Sequence, residues 1–318
     1  MHHAVDPDLR PALDFVPRLE LSDVAATREL LRSLNPGDPM DLVPETVTVD
    51  RRTAPAGDGT EIEFVVFTPA ASAAEARPGV LFFHGGGFVL GDAATDVRTP
   101  STLAAELGAV VVSVNYRLAP EWPFPTPFDD CYDALRWTAD SSTELGIDPD
   151  RIAVAGTSAG AGLAAAVALK ARDVGGPSIR FQALDSPVLD DRLSTTSATE
   201  YTDTPMWTRQ NAIDSWNHYL GPDADRAATP EYAAPARATD LAGLPAAFLS
   251  VAAFDPLRDE GIDYARRLTQ AAVPTELHLT PGTFHGSSGL VPQAGVSART
   301  TSAYIDALRR AFYGTEEQ

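Results

Sequence analysis

Ser158 stands between two glycines in Gly156-Thr157-Ser158-Ala159-Gly160, where the buried run "DRIAVAG" gives way to an alanine-rich helical pattern. A hydroxyl on so tight a corner suits a nucleophile. The glycines let strand and helix backbones approach closely, and the helix N-terminus favours negative charge. The spacing G-x-S-x-G is weak alone and equally fits an ordinary strand–helix turn. A serine hydroxyl at neutral pH also needs a base within hydrogen-bond reach. The chain has six histidines. His2 and His3 are terminal, His218 lies in an irregular stretch, His278 alternates within "TELHLT", and His84 belongs to a glycine run. His285 in "PGTFHGSSG" follows the last β-rich run directly, in the kind of loop where α/β enzymes keep their chemistry.

That imidazole requires a carboxylate to fix its tautomer and stabilise its protonated form. Asp255, in "LSVAAFDPLRDE", closes the preceding strand, and Asp259 and Glu260 are rivals that helix geometry carries away from the strand end. Asp255 is equally placed to cap a helix opening at Pro256, and the two roles are compatible. Acyl transfer further needs donors for an oxyanion. "HGGGF", His84 to Phe88, holds three consecutive glycines whose N–H groups can turn to one point without Cβ obstruction. Gly85 and Gly86, with Ala159 after the nucleophile, are the candidate donors. The other use of such a run is a phosphate loop, but no G-K-[ST] follows it.

The elements that must position these groups alternate. "ETVTVDRR" and "TEIEFVVFTP" are β-rich runs separated by the turn-forming "APAGDG". "GVLFFHGG" leads to a helix over 93–107, "GAVVVSVNYR" to the helical "PFDDCYDALRWTAD", and "DRIAVAG" to the helix after Ser158. "RFQALDSPVL" and "PAAFLSVAAF" follow, then a helix over 256–272, the strand "TELHLT" and the closing helix "SARTTSAYIDALRRAF". Buried runs alternating with helices predict an α/β fold. Its sheet has eight mostly parallel strands, covered by helices on both faces, with the first two strands antiparallel at one edge. Residues 46–189 and 236–318 form this core. Residues 1–45 read as separate, with an amphipathic helix capped by Ser22 and facing inward through Val24, Leu31 and Leu34. Residues 190–235, over forty residues with one helical patch, form an insertion of the kind that serves as a lid. The two segments are expected to pack together over the C-terminal edge of the sheet as a helical cap.

The 318 residues are 44% hydrophobic and carry a net charge of −20, with Lys170 as the sole lysine. That balance excludes nucleic acid and anionic membrane as expected partners. Cys131 is the sole cysteine, so no intrachain disulfide can form, and its helical setting fits a small buried hydrophobe. No apolar run of eighteen residues and no secretory signal occur, so the expected location is cytoplasmic.

Taken in order, "HGGGF", "YRLAPEWPFPTPFDDC", "GTSAG", "DSPVLDDR", "DPLRDEG" and "FHGS" resemble the hormone-sensitive-lipase group of α/β-hydrolases, bacterial carboxylesterases and their relatives. The likeness spans almost the whole chain, and Thr157 is similar to the GTSAG branch. It implies a triad of Ser158, Asp255 and His285, in the chain order usual for α/β-hydrolases, and oxyanion donors Gly85, Gly86 and Ala159. It also implies a carboxylesterase acting on small esters of short acyl chain, with no cofactor or metal, and a homodimer as assembly. Arg117 and Glu121 of "YRLAPE" would buttress the glycine loop, and Trp207 and Trp216 would line the cap or simply pack. Ser287 departs from the group's usual apolar residue after His285-Gly286. An amidase or deacetylase would use the same residues. A non-catalytic binder of this fold has lost its histidine, whereas His285 is present.

Overall fold

Valine, isoleucine and phenylalanine dominate the central strands because both faces of the sheet are covered. The computed structural model describes residues 5–34 and 37–314; His2 and His3 lie outside them. Strands β1 (Val47–Pro55), β2 (Glu61–Pro69), β3 (Arg77–Phe83), β4 (Val110–Asn115), β5 (Ile147–Thr157), β6 (Phe181–Asp185), β7 (Ala246–Phe254) and β8 (Thr275–Phe284) form one eight-stranded sheet. Its order is β1-β2-β4-β3-β5-β6-β7-β8. β1 and β2 are antiparallel to each other, β2 is antiparallel to β4, and the remaining pairs are parallel. β3 is followed by β4 on one side and later gains β5 on the other. The turns after β3 and β5 therefore face each other across the point where strand order reverses, the usual place for a ligand crevice in such sheets.

The helices are α1 (Val24–Leu34), α2 (Arg98–Leu107), α3 (Thr126–Asp140), α4 (Ser142–Leu145), α5 (Ala159–Val174), α6 (Thr196–Glu200), α7 (Arg209–Leu220), α8 (Arg258–Gln270), α9 (Ser287–Leu290) and α10 (Gly295–Tyr313). Leu103, Leu107, Ile305, Leu308 and Phe312 of α2 and α10 pack on one face of the sheet. Phe128, Leu135, Leu163 and Leu268 of α3, α5 and α8 pack on the other. α5 is rich in alanine and glycine because it lies buried against β5, β6 and α3, with no room for larger side chains. Cys131 is buried in this layer, as its pattern predicts.

Several local expectations are corrected. Asp23, not Ser22, caps α1, accepting the N–H of Ala26 at 2.9 Å. Thr27 rather than Leu34 is buried beside Val24, and Leu34 is exposed. The helix expected from residue 93 begins only at Arg98. Asp92 takes the N–H of Ala94 at 2.6 Å, and its carbonyl takes those of Thr95 and Asp96, so turns consume residues 92–97. The helix expected over 256–272 is shorter, Arg258–Gln270.

The 190–235 stretch contains two α-helices, α6 and α7, where one helical patch was expected. Its root is pinned by charge: buried Asp191 accepts from Arg237 Nε at 2.6 Å and from the Thr229 hydroxyl at 2.9 Å. It touches the N-terminal segment through Asn211 Nδ2, which donates to Leu19 O at 2.8 Å, and through His218 Nε2 against Leu21 O at 2.8 Å.

Buried Glu260, in the first turn of α8, accepts from the N–H groups of Leu189 and Asp190 through Oε1, whereas Oε2 has no partner. Burial raises its carboxyl pKa, and the charges of Asp190 and Asp255 add to the rise. A raised acid favours folding while protonated, so its contribution is full below the ordinary value of 4.5 and fades as pH rises through the shifted one. Glu260→Gln keeps the Oε1 acceptor and cannot ionise. Its melting temperature relative to the parent is expected to improve by about 2 °C more at pH 8 than at pH 5. Equal differences at both pH values in calorimetry would show that folding does not raise the Glu260 carboxyl.

Candidate active site

The turn from β5 into α5 holds Ser158 at φ 56°, ψ −118°, a conformation that costs a residue with a side chain about 1–3 kcal/mol. Neighbours over-determine it. Ser158 N–H donates to Asp185 O at 2.8 Å, and Ser158 O accepts from Gly162 and Val188, each at 3.1 Å. A Cβ on Gly160 would overlap the carbonyl oxygens of Phe83 and His84, so glycine lets the start of α5 slide under the end of β3.

Three distant loops meet at this corner. His285, just past the end of β8, brings Nε2 to 2.9 Å from Ser158 Oγ. Its Nδ1 lies 2.7 Å from Asp255 Oδ2. Asp255 Oδ1 accepts the Leu257 N–H at 2.9 Å, so one carboxylate both caps the turn into α8 and orients the ring. Asp259 instead bonds Arg258 and Ser197, and Glu260 faces Leu189; neither rival reaches His285. All three members of the chain are buried, Asp255 most deeply. Burial pulls the imidazole pKa of His285 down, but the charge and hydrogen bond of Asp255, with the charge of Asp185, outweigh it and leave the value above 6.5.

The glycine loop lies against the corner: a Cβ on Gly85 would stand 3.5 Å from Ser158 Cβ. The N–H groups of Gly85, Gly86 and Ala159 find no protein acceptor among the described residues. Gly86 holds φ +122°, and a Cβ there would overlap the Leu90 carbonyl, whose N–H in turn bonds Gly86 O at 2.8 Å. His84 is buried, stacked on Tyr116 at 4.3 Å between centroids, with Nδ1 2.8 Å from Gly85 O.

Support for the loop comes from elsewhere than expected. Arg117 does not touch it; that guanidinium binds Asp130 through Nε at 2.9 Å and Asp58 through Nη1 at 2.8 Å. Glu121 acts at one remove, pairing with Arg28, whose Nε donates to Val89 O at 2.8 Å. Ser215 on α7 donates to Gly87 O at 2.8 Å. Trp207 stands 5.8 Å from the His285 ring with its far edge against Gly87, whereas Trp216 packs behind Phe88 and Tyr219. Ser287 is buried at the start of α9. His278 is a strand-face residue beside Glu276, as its alternation predicts.

A family model described as the alpha/beta hydrolase fold matches residues 80–288, a span that runs from the glycine loop past His285. The chain belongs to the α/β-hydrolase family. Esterase LipI of Mycobacterium tuberculosis (strain ATCC 25618 / H37Rv) is 42% identical over 315 residues, 98% of this chain and 96% of that protein. Carboxylesterase NlhH of the same organism is 40% identical over 97% of each chain. A solved structure described as a bacterial heroin esterase matches with a TM-score of 0.95 at 46% identity, covering 98% of this chain and 99% of its own. With its motifs, these likenesses put this α/β-hydrolase in the hormone-sensitive-lipase group. No helix of the described residues is long and apolar enough to cross a membrane.

Proposed function

We propose that this α/β-hydrolase is a serine carboxylesterase, cleaving short-acyl esters of small alcohols through Ser158, His285 and Asp255. The observation that carries the reading is the unbroken relay of Asp255 Oδ2 to His285 Nδ1 at 2.7 Å and His285 Nε2 to Ser158 Oγ at 2.9 Å. With Nδ1–H donated in a hydrogen bond to Asp255, Nε2 is left to accept the serine proton. Ser158 Oγ attacks the ester carbonyl carbon as its proton passes to Nε2. The oxyanion of the tetrahedral intermediate is held by the N–H groups of Gly85, Gly86 and Ala159. The intermediate collapses, the C–O bond to the alcohol breaks, and the leaving oxygen takes the proton from Nε2. Water then gives a proton to Nε2 and attacks the acyl-enzyme, releasing the carboxylic acid and restoring Ser158.

Residues 1–45 and 190–235 serve as the cap in this reading. A cleft of about 770 Å³ lies along their contact, lined by Leu19, Leu21, Pro205, Met206 and Asn211 among others, with none of Ser158, Asp255 and His285 in its wall. Each methylene in an acyl-binding pocket is worth only about 1–3 kcal/mol, so acyl-length preference is a graded property. A series of p-nitrophenyl esters from acetate to laurate, with matched p-nitroanilides, tests the reading. Esters of short chains should give the highest kcat/KM; preferential cleavage of the anilides would make the enzyme an amidase.

The base must be neutral to accept the serine proton. Activity should therefore rise with pH through the titration of His285, with the midpoint of kcat/KM above 6.5. A midpoint below that value would mean that the carboxylates do not hold the ring's proton. The expected assembly is a homodimer, for which the outer edge of β8, with Leu277 and Leu279 exposed, offers a face. Sedimentation should then give a species of twice the 33.7 kDa chain mass.

A further inference from the structure

Asp185 closes β6, next to the strand that carries the nucleophile, and its side chain has no part in the relay above. It pairs in register with Thr157 on β5 and with Ser250 on β7. Its carbonyl holds the Ser158 N–H at 2.8 Å. Its side chain is fixed separately: the hydroxyl of buried Ser250 donates to Oδ1 at 2.5 Å. Ser186 is held at φ 46°, its N–H donating to Ser250 O at 2.8 Å. A neutral hydroxyl thus fixes the carboxylate, and no arginine or lysine pairs with it among the described residues. A carboxylate in such surroundings without a cation is costly unless it serves a positive charge close by.

The group near it that can become positive is His285. Asp255 holds this ring from the turn after β7, and Asp185 stands at the end of β6 with its carbonyl on the N–H of Ser158, the serine that the ring bonds at 2.9 Å. Around Asp185 itself stand His285, Asp255 and, from α10, Tyr304, whose phenol donates to Ala183 O at 3.2 Å and is kept protonated by burial. We propose that Asp185 is a positioning residue of the active site, a second carboxylate on the neighbouring strand that stabilises the imidazolium formed when Ser158 attacks. Burial raises the Asp185 carboxyl, and His285 opposes that rise, as expected of two groups that share one electrostatic pocket. Asp255 orients the ring by a direct hydrogen bond, and Asp185 acts across space from a carboxylate that Ser250 holds in place.

The proposal rests on the esterase reading and has its own test. Asp185→Asn keeps an acceptor for Ser250 and removes the charge; Asp185→Ser replaces it should the asparagine chain not fold. The acid limb of kcat/KM is expected to move down by about 0.5 pH unit, with kcat on the plateau lowered about threefold and KM little changed. Asp185→Glu, which restores the charge, should bring the limb back towards that of the parent. A purely structural residue would lower activity without moving the limb, so an unmoved limb in a folded neutral variant overturns the proposal. A limb displaced equally by glutamate does the same. A second readout needs no turnover: the ring of His285, followed by NMR in isotope-labelled Ser158→Ala protein, should titrate at lower pH once Asp185 is neutralised. That shift in a parent enzyme without esterase activity would uphold the electrostatic role and refute the esterase reading. Ester turnover that depends on Ser158, with His285 unmoved, would do the reverse.

Discussion

Alanine at Ser158 is expected to lower kcat on a short-chain p-nitrophenyl ester by about 10⁶-fold, with KM changed far less. The relay makes this the largest single loss available. Without Oγ no acyl-enzyme can form, and His285 is left to act only on water. The donors of the glycine loop remain, so a rate about 10³–10⁴ above the uncatalysed reaction should persist. Residues that act as one unit lose their effects together. Ser158→Ala combined with His285→Ala should therefore be little worse than the serine change alone, and stopped-flow kinetics should show the acyl-enzyme burst abolished in both variants. A serine variant retaining a tenth of the parent rate would place the nucleophile elsewhere.

Alanine at Gly86 is the second large expectation, a fall in kcat of about 10²–10³, the scale of losing one oxyanion donor. At φ +122° a side chain is strained whatever the space, and here its Cβ would overlap the Leu90 carbonyl. The loop has to tilt, carrying the N–H of Gly86 away from the developing charge. The body of the sheet does not depend on this loop, so the melting temperature should drop far less than activity. Affinity for a trifluoromethyl ketone, which forms a tetrahedral adduct on the serine, should fall by a factor similar to that in kcat. Unchanged ketone affinity would remove Gly86 from the oxyanion site.

The residues that meet at the corner were legible because each sits at the end of a strand whose burial the sequence displays. "DRIAVAG" ends in Gly156 before Ser158, "PAAFLSVAAF" ends before Asp255, and His285 follows "TELHLT". In a parallel sheet those ends lie along one rim, so the type of residue there was enough. The same logic did not pick out Asp185, which also ends a strand. Its meaning depends on β6 lying between β5 and β7 and on Ser250 standing opposite, and strand order is not encoded in local periodicity. Arg117 was misassigned for a related reason. An arginine that follows the strand beside the glycine loop can reach several carboxylates, and Asp130, buried one helix away, receives it instead. Turns were lost where an aspartate competes with helix formation, as Asp92 does before α2. Ser215 and Arg28 bond the glycine loop from segments far away in the chain, which only the folded arrangement reveals.

Covalent capture tests the placement of these groups most directly. The enzyme would be treated with a p-nitrophenyl alkylphosphonate, digested, and mapped by mass spectrometry. The phosphonyl group should be found on the peptide containing Ser158, at one equivalent per chain and in step with loss of esterase activity, and should be all but absent from His285→Ala. Full inactivation with the label on another residue, or ester turnover that survives complete labelling of Ser158, would contradict the account.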